Sequence, residues 1–253
     1  MRMLSRPFAL IGAAAALAVS AAVFEPPSVA RADEIDDRVA AMEAAAKDGD
    51  SGVALAKIVE LQDSLDERVV KALGKLLKAR DDKIAAAAVR ELGRRKDPGL
   101  QKSLKKKLDD SKLFKEHADV FLAYVAAAGN YADPKLQEPI AGVVNKYLPT
   151  TAGVAKAAIT AFGAVREKET VDQLLKWLVQ TETNQSGMSQ QQRDTYAACK
   201  THIVDTLGSL TGQEIADSKT WHEFWEANRK TFEFRDPNAP EVDPATLEEW
   251  SDS

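Results

Sequence analysis

Apolar positions between residues 51 and 232 recur at helical spacing, and the spacing itself repeats. Ile84, Ala88, Val89 and Leu92 mark one face of a helix. A second stripe, Leu100, Leu104 and Leu108, follows the motif Gly93-x-x-x-Asp97-Pro98. The motif returns as Gly129-x-x-x-Asp133-Pro134, with Leu136, Ile140 and Val144 behind it. Ala87-Ala88-Val89-Arg90-Glu91-Leu92-Gly93 reappears as Ala157-Ala158-Ile159-Thr160-Ala161-Phe162-Gly163, an offset of 70, or twice 35. In this fourth unit Leu174 and Leu178 continue the second stripe. Upstream, at an offset of 31, Glu60-Leu61 matches Glu91-Leu92, Asp66 matches Asp97, and Val69, Leu73 and Leu77 match the Leu100 series. A fifth copy opens in Ile203-Val204-Asp205-Thr206-Leu207-Gly208. A fixed period of this length is the signature of stacked structural repeats.

Each unit predicts two helices. The first is expected to end at its Gly, which closes a helix in the left-handed conformation without steric cost. Asp then caps the second helix, with Pro in the first turn where no amide donor is needed. One pair cannot bury both its faces, so neighbouring pairs must complete the core. The predicted pairs span 51–79, 82–109, 115–147 and 151–180, with a fifth starting near 193, and residues 34–47 form an N-terminal capping helix. The polar stretch 181–193 has no apolar period and is expected to be a loop between the fourth and fifth units. It contains the formal glycosylation sequon Asn184-Gln185-Ser186. The fold class expected is all-α, an α-solenoid of about five helix pairs over 33–232.

The first 32 residues read differently. Arg2 and Arg6 precede an Ala-rich apolar run from Phe8 to Phe24, followed by Pro26, Pro27 and the A-x-A site Ala30-Arg31-Ala32. These are the three regions of a secretory signal peptide, 1–32, and predict an exported protein, periplasmic or extracellular. Retained instead, the run of 17 residues would be an anchor at the short limit for crossing a bilayer. No later segment is apolar enough to do so. Without the first 32 residues the net charge is −7, which excludes the dominant positive field that general nucleic-acid binding needs. Cys199 is the only cysteine, so stability must come from packing rather than an internal disulfide.

The repeats over roughly residues 50–232 resemble the HEAT-like repeat family, in which short helix pairs stack into a curved solenoid. The closing segment, Leu210-Thr211-Gly212-Gln213 and then Trp221-x-x-Phe224-Trp225-x-x-Asn228, is similar to the end of secreted bacterial HEAT-domain proteins. The resemblance implies an adaptor-like fold with no inherited active site. Two departures are Ala128, where a large residue usually precedes the Gly, and Gln62, which stands in place of Gly in the first unit.

Catalytic chemistry is thinly represented. Cys199, His202 and Asp205 form the one set resembling a nucleophilic constellation, but they follow one stripe of one predicted helix. A triad normally aims its members from separate elements. Cys199 also aligns with the core position Ile84, where a free Cys acts as a small hydrophobe. His117, His202 and His222 are dispersed, and Trp221-His222-Glu223-Phe224-Trp225 lacks the second His one turn on that a helical zinc site requires. The expectation is a non-catalytic chain without metal or cofactor. Trp221, Phe224, Trp225 and Phe232 share a helical face and are expected to form a lid over the last repeat.

Charge is the more informative feature. A basic stretch runs from Arg90 to Lys115, and within it Leu100, Leu104 and Leu108 face the core, so Lys102, Lys105 and Lys106 point away. In the family such helices line the concave surface. These lysines form an anion-seeking patch. The segment 233–253 is its opposite, with Glu241, Asp243, Glu248, Glu249 and Asp252 among several prolines. Its composition predicts a flexible acidic tail. Trp250 near its end is a candidate anchor, either for a partner or for the protein's own basic groove. Lys102, Lys105, Lys106 and Trp250 are thus the candidate binding residues of an exported scaffold for protein–protein interaction. The expected partner is an acidic protein. The rival readings are an envelope-associated structural protein binding an anionic polymer and, more remotely, a hydrolase using His202 with Asp205.

Overall fold

A computed structural model of the chain describes residues 28–183 and 186–234. Among the described residues all regular structure is helical, so the protein is all-α. The helices are α1 (Ser28–Asp48), α2 (Ser51–Glu60), α3 (Glu67–Leu76), α4 (Asp82–Arg94), α5 (Pro98–Leu108), α6 (Ser111–Glu116) and α7 (Ala118–Tyr131). They continue with α8 (Gln137–Tyr147), α9 (Ala152–Gly163), α10 (Lys168–Glu182), α11 (Gln190–Thr211) and α12 (Ser218–Asn228). Residues 1–27, the Asn184-Gln185 part of the sequon and the segment 235–253, with Trp250, lie outside the described residues. So does most of the expected signal peptide, although α1 already runs through 28–32. No helix among the described residues is long and apolar enough to cross a membrane.

Aspartates start many of the helices, at Asp66 and Asp97 as the repeat spacing predicts. Asp50, Asp66, Asp81, Asp97, Asp110 and Asp217 each accept a hydrogen bond from a backbone N–H in the first turn that follows. Such a bond satisfies an amide that the helix itself leaves unpaired. Pro98 occupies the first turn of α5, and Pro134 opens a 3-10 turn, Pro134–Leu136, that leads into α8.

The odd and even members of the predicted pairs pack differently. The first helices form a series in which α2 meets α4, α4 meets α7, α7 meets α9 and α9 meets α11. Each second helix lies against the next first helix: α3 on α4, α5 on α7, α8 on α9 and α10 on α11. α1 covers both α2 and α3 and buries Met42. The core therefore runs along the contacts between units, through Ile84, Val89, Leu92, Leu104, Ile140 and Leu174.

Glycine plays a different part from the one expected. Gly93 and Gly129 do not end their helices, and Gly163, the last residue of α9, is not left-handed. A Cβ on Gly93 would lie 2.6 Å from Ala127 Cβ, and one on Gly129 would lie 2.9 Å from Ala161 Cα. On Gly163 it would strike the methyl of Thr206. At Gly93 and Gly129 the missing side chain lets successive first helices touch nearly backbone to backbone, and at Gly163 it makes room for the Thr206 side chain. The left-handed turns fall three residues later, at Lys96 (φ 54°) and Ala132 (φ 49°). Lys96 N–H donates to Gly93 O and Asp97 N–H to Leu92 O, which together close α4.

Three further differences have local causes. The stretch expected to be a loop over 181–193 is helical only at its two ends, since α10 runs to Glu182 and α11 begins at Gln190, with residues 183 and 186–189 non-helical between them. Ser189 and Gln192 form a reciprocal capping box that starts α11 early. The short α6 was not predicted; Asp110 caps it, and Phe114 packs edge-on against Phe121 (5.5 Å) and Tyr147 (4.7 Å). In α3 the buried stripe is Val69, Ala72, Leu73 and Leu76, with Leu77 only half-buried.

Candidate functional site

The basic stretch from Arg90 to Lys115 does not form one surface. Arg95 has a side chain only 7% exposed and donates 2.9 Å to Glu91, 2.7 Å to Leu61 O and 3.1 Å to Gln62 O, as well as to Ser64 O. Arg94 joins the same cluster through Glu91 (2.8 Å) and Gln62 O. These two guanidinium groups satisfy carbonyls at the end of α2, where the first unit has Gln62 in place of a close-packing Gly. They are structural clamps. Hydrogen bonds donated to the Glu91 carboxylate hold the Arg94 guanidinium above its usual pKa. Lys107 is also occupied, with its ammonium 5.6 Å from the centre of the Tyr124 ring.

Arg90, Lys96, Lys112 and Lys115 are exposed elsewhere on α4, α6 and the turn after α4, while Lys102, Lys105 and Lys106 stand together on α5. All three are exposed on α5, on the side opposite the buried Leu100, Leu104 and Leu108. They line a shallow hollow of about 560 Å³ together with Asp109 and Asp110. Asp110 is engaged in capping α6, with its Oδ1 3.0 Å from the amides of Lys112 and Leu113. Those bonds and the nearby lysines hold its carboxyl below the usual range. Lys105 stands 3.9 Å from the exposed Glu138 of α8, a separation at which a solvated pair contributes little. Among the described residues no carboxylate lies within ion-pair distance of Lys102 or Lys106. The fourth candidate, Trp250, lies outside the described residues.

The other constellations take structural places. Cys199 is wholly buried, and burial pushes its thiol up, away from the reactive thiolate. His202 Nε2 lies 2.8 Å from Thr160 Oγ1 of α9, while Asp205 is exposed. His117 Nδ1 is 2.8 Å from Asp82, and His222 Nδ1 is 2.9 Å from Ser218 O. No group of three or more metal-ligating side chains occurs among the described residues. Trp221 and Trp225 are buried, as a lid requires. Trp221 Nε1 donates to Ile215 O (2.7 Å) and Trp225 Nε1 to Asp172 (2.6 Å), and Arg229 pairs with the same Asp172 (2.8 Å).

Sequence reading did not find a larger hollow of about 1000 Å³ near the ends of α1 and α3. Lys47, Lys75, Lys78 and Arg80 line it, but Glu43, Asp48 and Asp81 offset them, and Lys75 is bound to Glu43 at 2.7 Å. Lysine in the last turn of each helix was the available signal. Set against family models and against curated proteins, the chain finds no match in either comparison.

Proposed function

We propose that this chain is an exported, non-catalytic scaffold, an α-solenoid of about five HEAT-like helix pairs that binds a partner protein through its row of second helices. The solenoid reading is supported by the serial packing of first helix on first helix, with a glycine at three successive junctions. Export is supported by the basic, apolar and A-x-A regions of residues 1–32. The observation that carries the binding reading is the set of three exposed lysines on α5. Arg94 and Arg95 nearby are held by hydrogen bonds to Glu91 and to carbonyls of the first unit, yet Lys102 and Lys106 hold no carboxylate and Lys105 only a loose one. Such a cluster attracts an acidic surface and weakens as salt rises.

The test is capture from the exported and envelope fractions of the source organism, using the native chain and a variant carrying Lys102→Glu, Lys105→Glu and Lys106→Glu. A defined protein recovered by the native chain and lost by the variant supports the reading and locates its face. Equal recovery by both refutes the assigned face. Binding that never saturates at a fixed stoichiometry, and is released by modest salt, identifies an anionic polymer instead.

A further inference from the structure

We infer that the acidic segment 236–252 of the same chain occupies the Lys102–Lys105–Lys106 face at low salt, so that a partner must displace it. This rests on the binding reading above and adds a competitor within the molecule. The described chain ends in a string of aromatic contacts, with Trp225 5.3 Å from Phe232 and Phe232 5.2 Å from Phe234. Lys168, the first residue of α10, donates to Lys230 O at 2.9 Å, so the chain leaves beside the start of α10.

From there a ladder of hydrogen bonds leads back along the starts of the second helices. Gln137 of α8 donates to Thr170 of α10 (3.0 Å), and Gln101 of α5 donates to Asp133, just before α8 (2.7 Å). Lys105 is one turn beyond Gln101. Neighbouring helix axes lie about 8–10 Å apart, so the exit and the lysines are separated by roughly 20–30 Å. Extended chain covers up to about 3.3–3.6 Å per residue, which carries Glu248 roughly 45–50 Å beyond Phe234. The acidic residues reach the lysines with slack.

Charge selects this destination. Asp236, Glu241, Asp243, Glu248, Glu249 and Asp252 stand against the single Arg235. On the nearest helix they meet exposed Glu223 and Glu226, like charges that turn them away. Asp172 and Glu169 on α10 already hold Arg229, so the exposed cations near the exit are Lys176 and Lys230 rather than a cluster of three. Beyond them lie the exposed Lys135 and then Lys102, Lys105 and Lys106. Trp250 directly follows Glu248-Glu249 and brings an aromatic face to which a lysine ammonium is attracted.

The test is zero-length carbodiimide cross-linking of the full chain, with peptide mapping of the monomer. The expected result is that Glu248 or Glu249 links to Lys102, Lys105 or Lys106, with a yield at least about fivefold lower near 0.5 M salt, where the screening length is a few ångström. Links found only in dimers, links made equally to Lys83 or Lys156, or a yield indifferent to salt would each overturn the inference. A full chain carrying Glu241→Gln, Asp243→Asn, Glu248→Gln and Glu249→Gln should capture more partner than the native chain. Intramolecular links with a partner indifferent to the lysines would retain this contact and sink the binding reading. A lysine-dependent partner without such links would do the reverse.

Discussion

Replacing Gly93 with Ala should destabilise the protein, although an exposed helical Gly→Ala change ordinarily does the opposite. The new Cβ would sit 2.6 Å from Ala127 Cβ and 2.9 Å from Ala127 Cα. Carbon atoms prefer about 3.5–4.0 Å, so α4 and α7 would have to part by about 1 Å along a fully buried seam. Overpacking of this kind costs about 1–3 kcal/mol, against a gain of about 0.5–1 kcal/mol from the lower chain entropy of Ala. The net expectation is a loss of about 1–2 kcal/mol. Gly142, exposed within α8, is the internal control, since a Cβ there meets nothing within 4 Å. Gly142→Ala should therefore stabilise by about 0.5–1 kcal/mol. Urea unfolding followed by far-ultraviolet circular dichroism gives both values from the same extrapolation. Ala127→Gly combined with Gly93→Ala should recover part of the loss, a coupling that a double-mutant cycle isolates. If Gly93→Ala stabilises as much as Gly142→Ala, the close-packing role assigned to the repeat glycines is wrong.

Other outcomes follow from the caps. Trp225→Ala should cost about 3–5 kcal/mol, because the ring is buried and its N–H holds Asp172; an unchanged thermal melt would contradict the lid. Hydrogen bonding from Arg229, with a further bond from Trp225, holds the Asp172 carboxyl below the usual range against the opposing effect of burial. A depressed folded value means that this contribution is complete above the unfolded value, about pH 4, and fades as pH falls through the folded one. Acid titration of tryptophan fluorescence should thus show the C-terminal cap loosening below about pH 4, and Asp172→Asn should remove that component; a native-like acid transition in this variant would refute it. Ala132→Gly should stabilise by about 0.5–1 kcal/mol, because Ala132 is held at φ 49°, a conformation costly for any residue with a Cβ; an unchanged urea midpoint would count against it.

Much of this architecture is legible in the residues, for reasons that differ by element. Asp66, Asp97 and Asp133 announce helix starts because capping is local chemistry, complete within four residues. The Leu100–Leu104–Leu108 stripe is legible because one helix face needs one period. The role of Gly93 was not legible, since a glycine that closes a helix and one that lets another helix approach look alike until the partner, Ala127, is placed. Arg94 and Arg95 were misleading for the same reason. Their acceptors, the carbonyls of Leu61, Gln62 and Ser64, lie a full repeat away, and no charge count distinguishes a clamp from a patch. The start of α11 was legible and overlooked, for Ser189-x-x-Gln192 is a capping-box pattern inside a stretch whose polarity suggested a loop. Lys102, Lys105 and Lys106 were found because their exposure follows directly from the buried stripe beside them.

The binding face can be tested most directly by lysine footprinting of the full chain carrying Glu241→Gln, Asp243→Asn, Glu248→Gln and Glu249→Gln, in which the acidic segment no longer shields the lysines. Acetylation rates would be compared in buffer and in the exported and envelope fractions of the source organism, with Lys83 on α4 and Lys219 on α12 as exposed references. The account predicts that Lys102, Lys105 and Lys106 lose most of their reactivity in the fraction while Lys83 and Lys219 keep theirs. Protection confined to other lysines, or no protection anywhere, would contradict it.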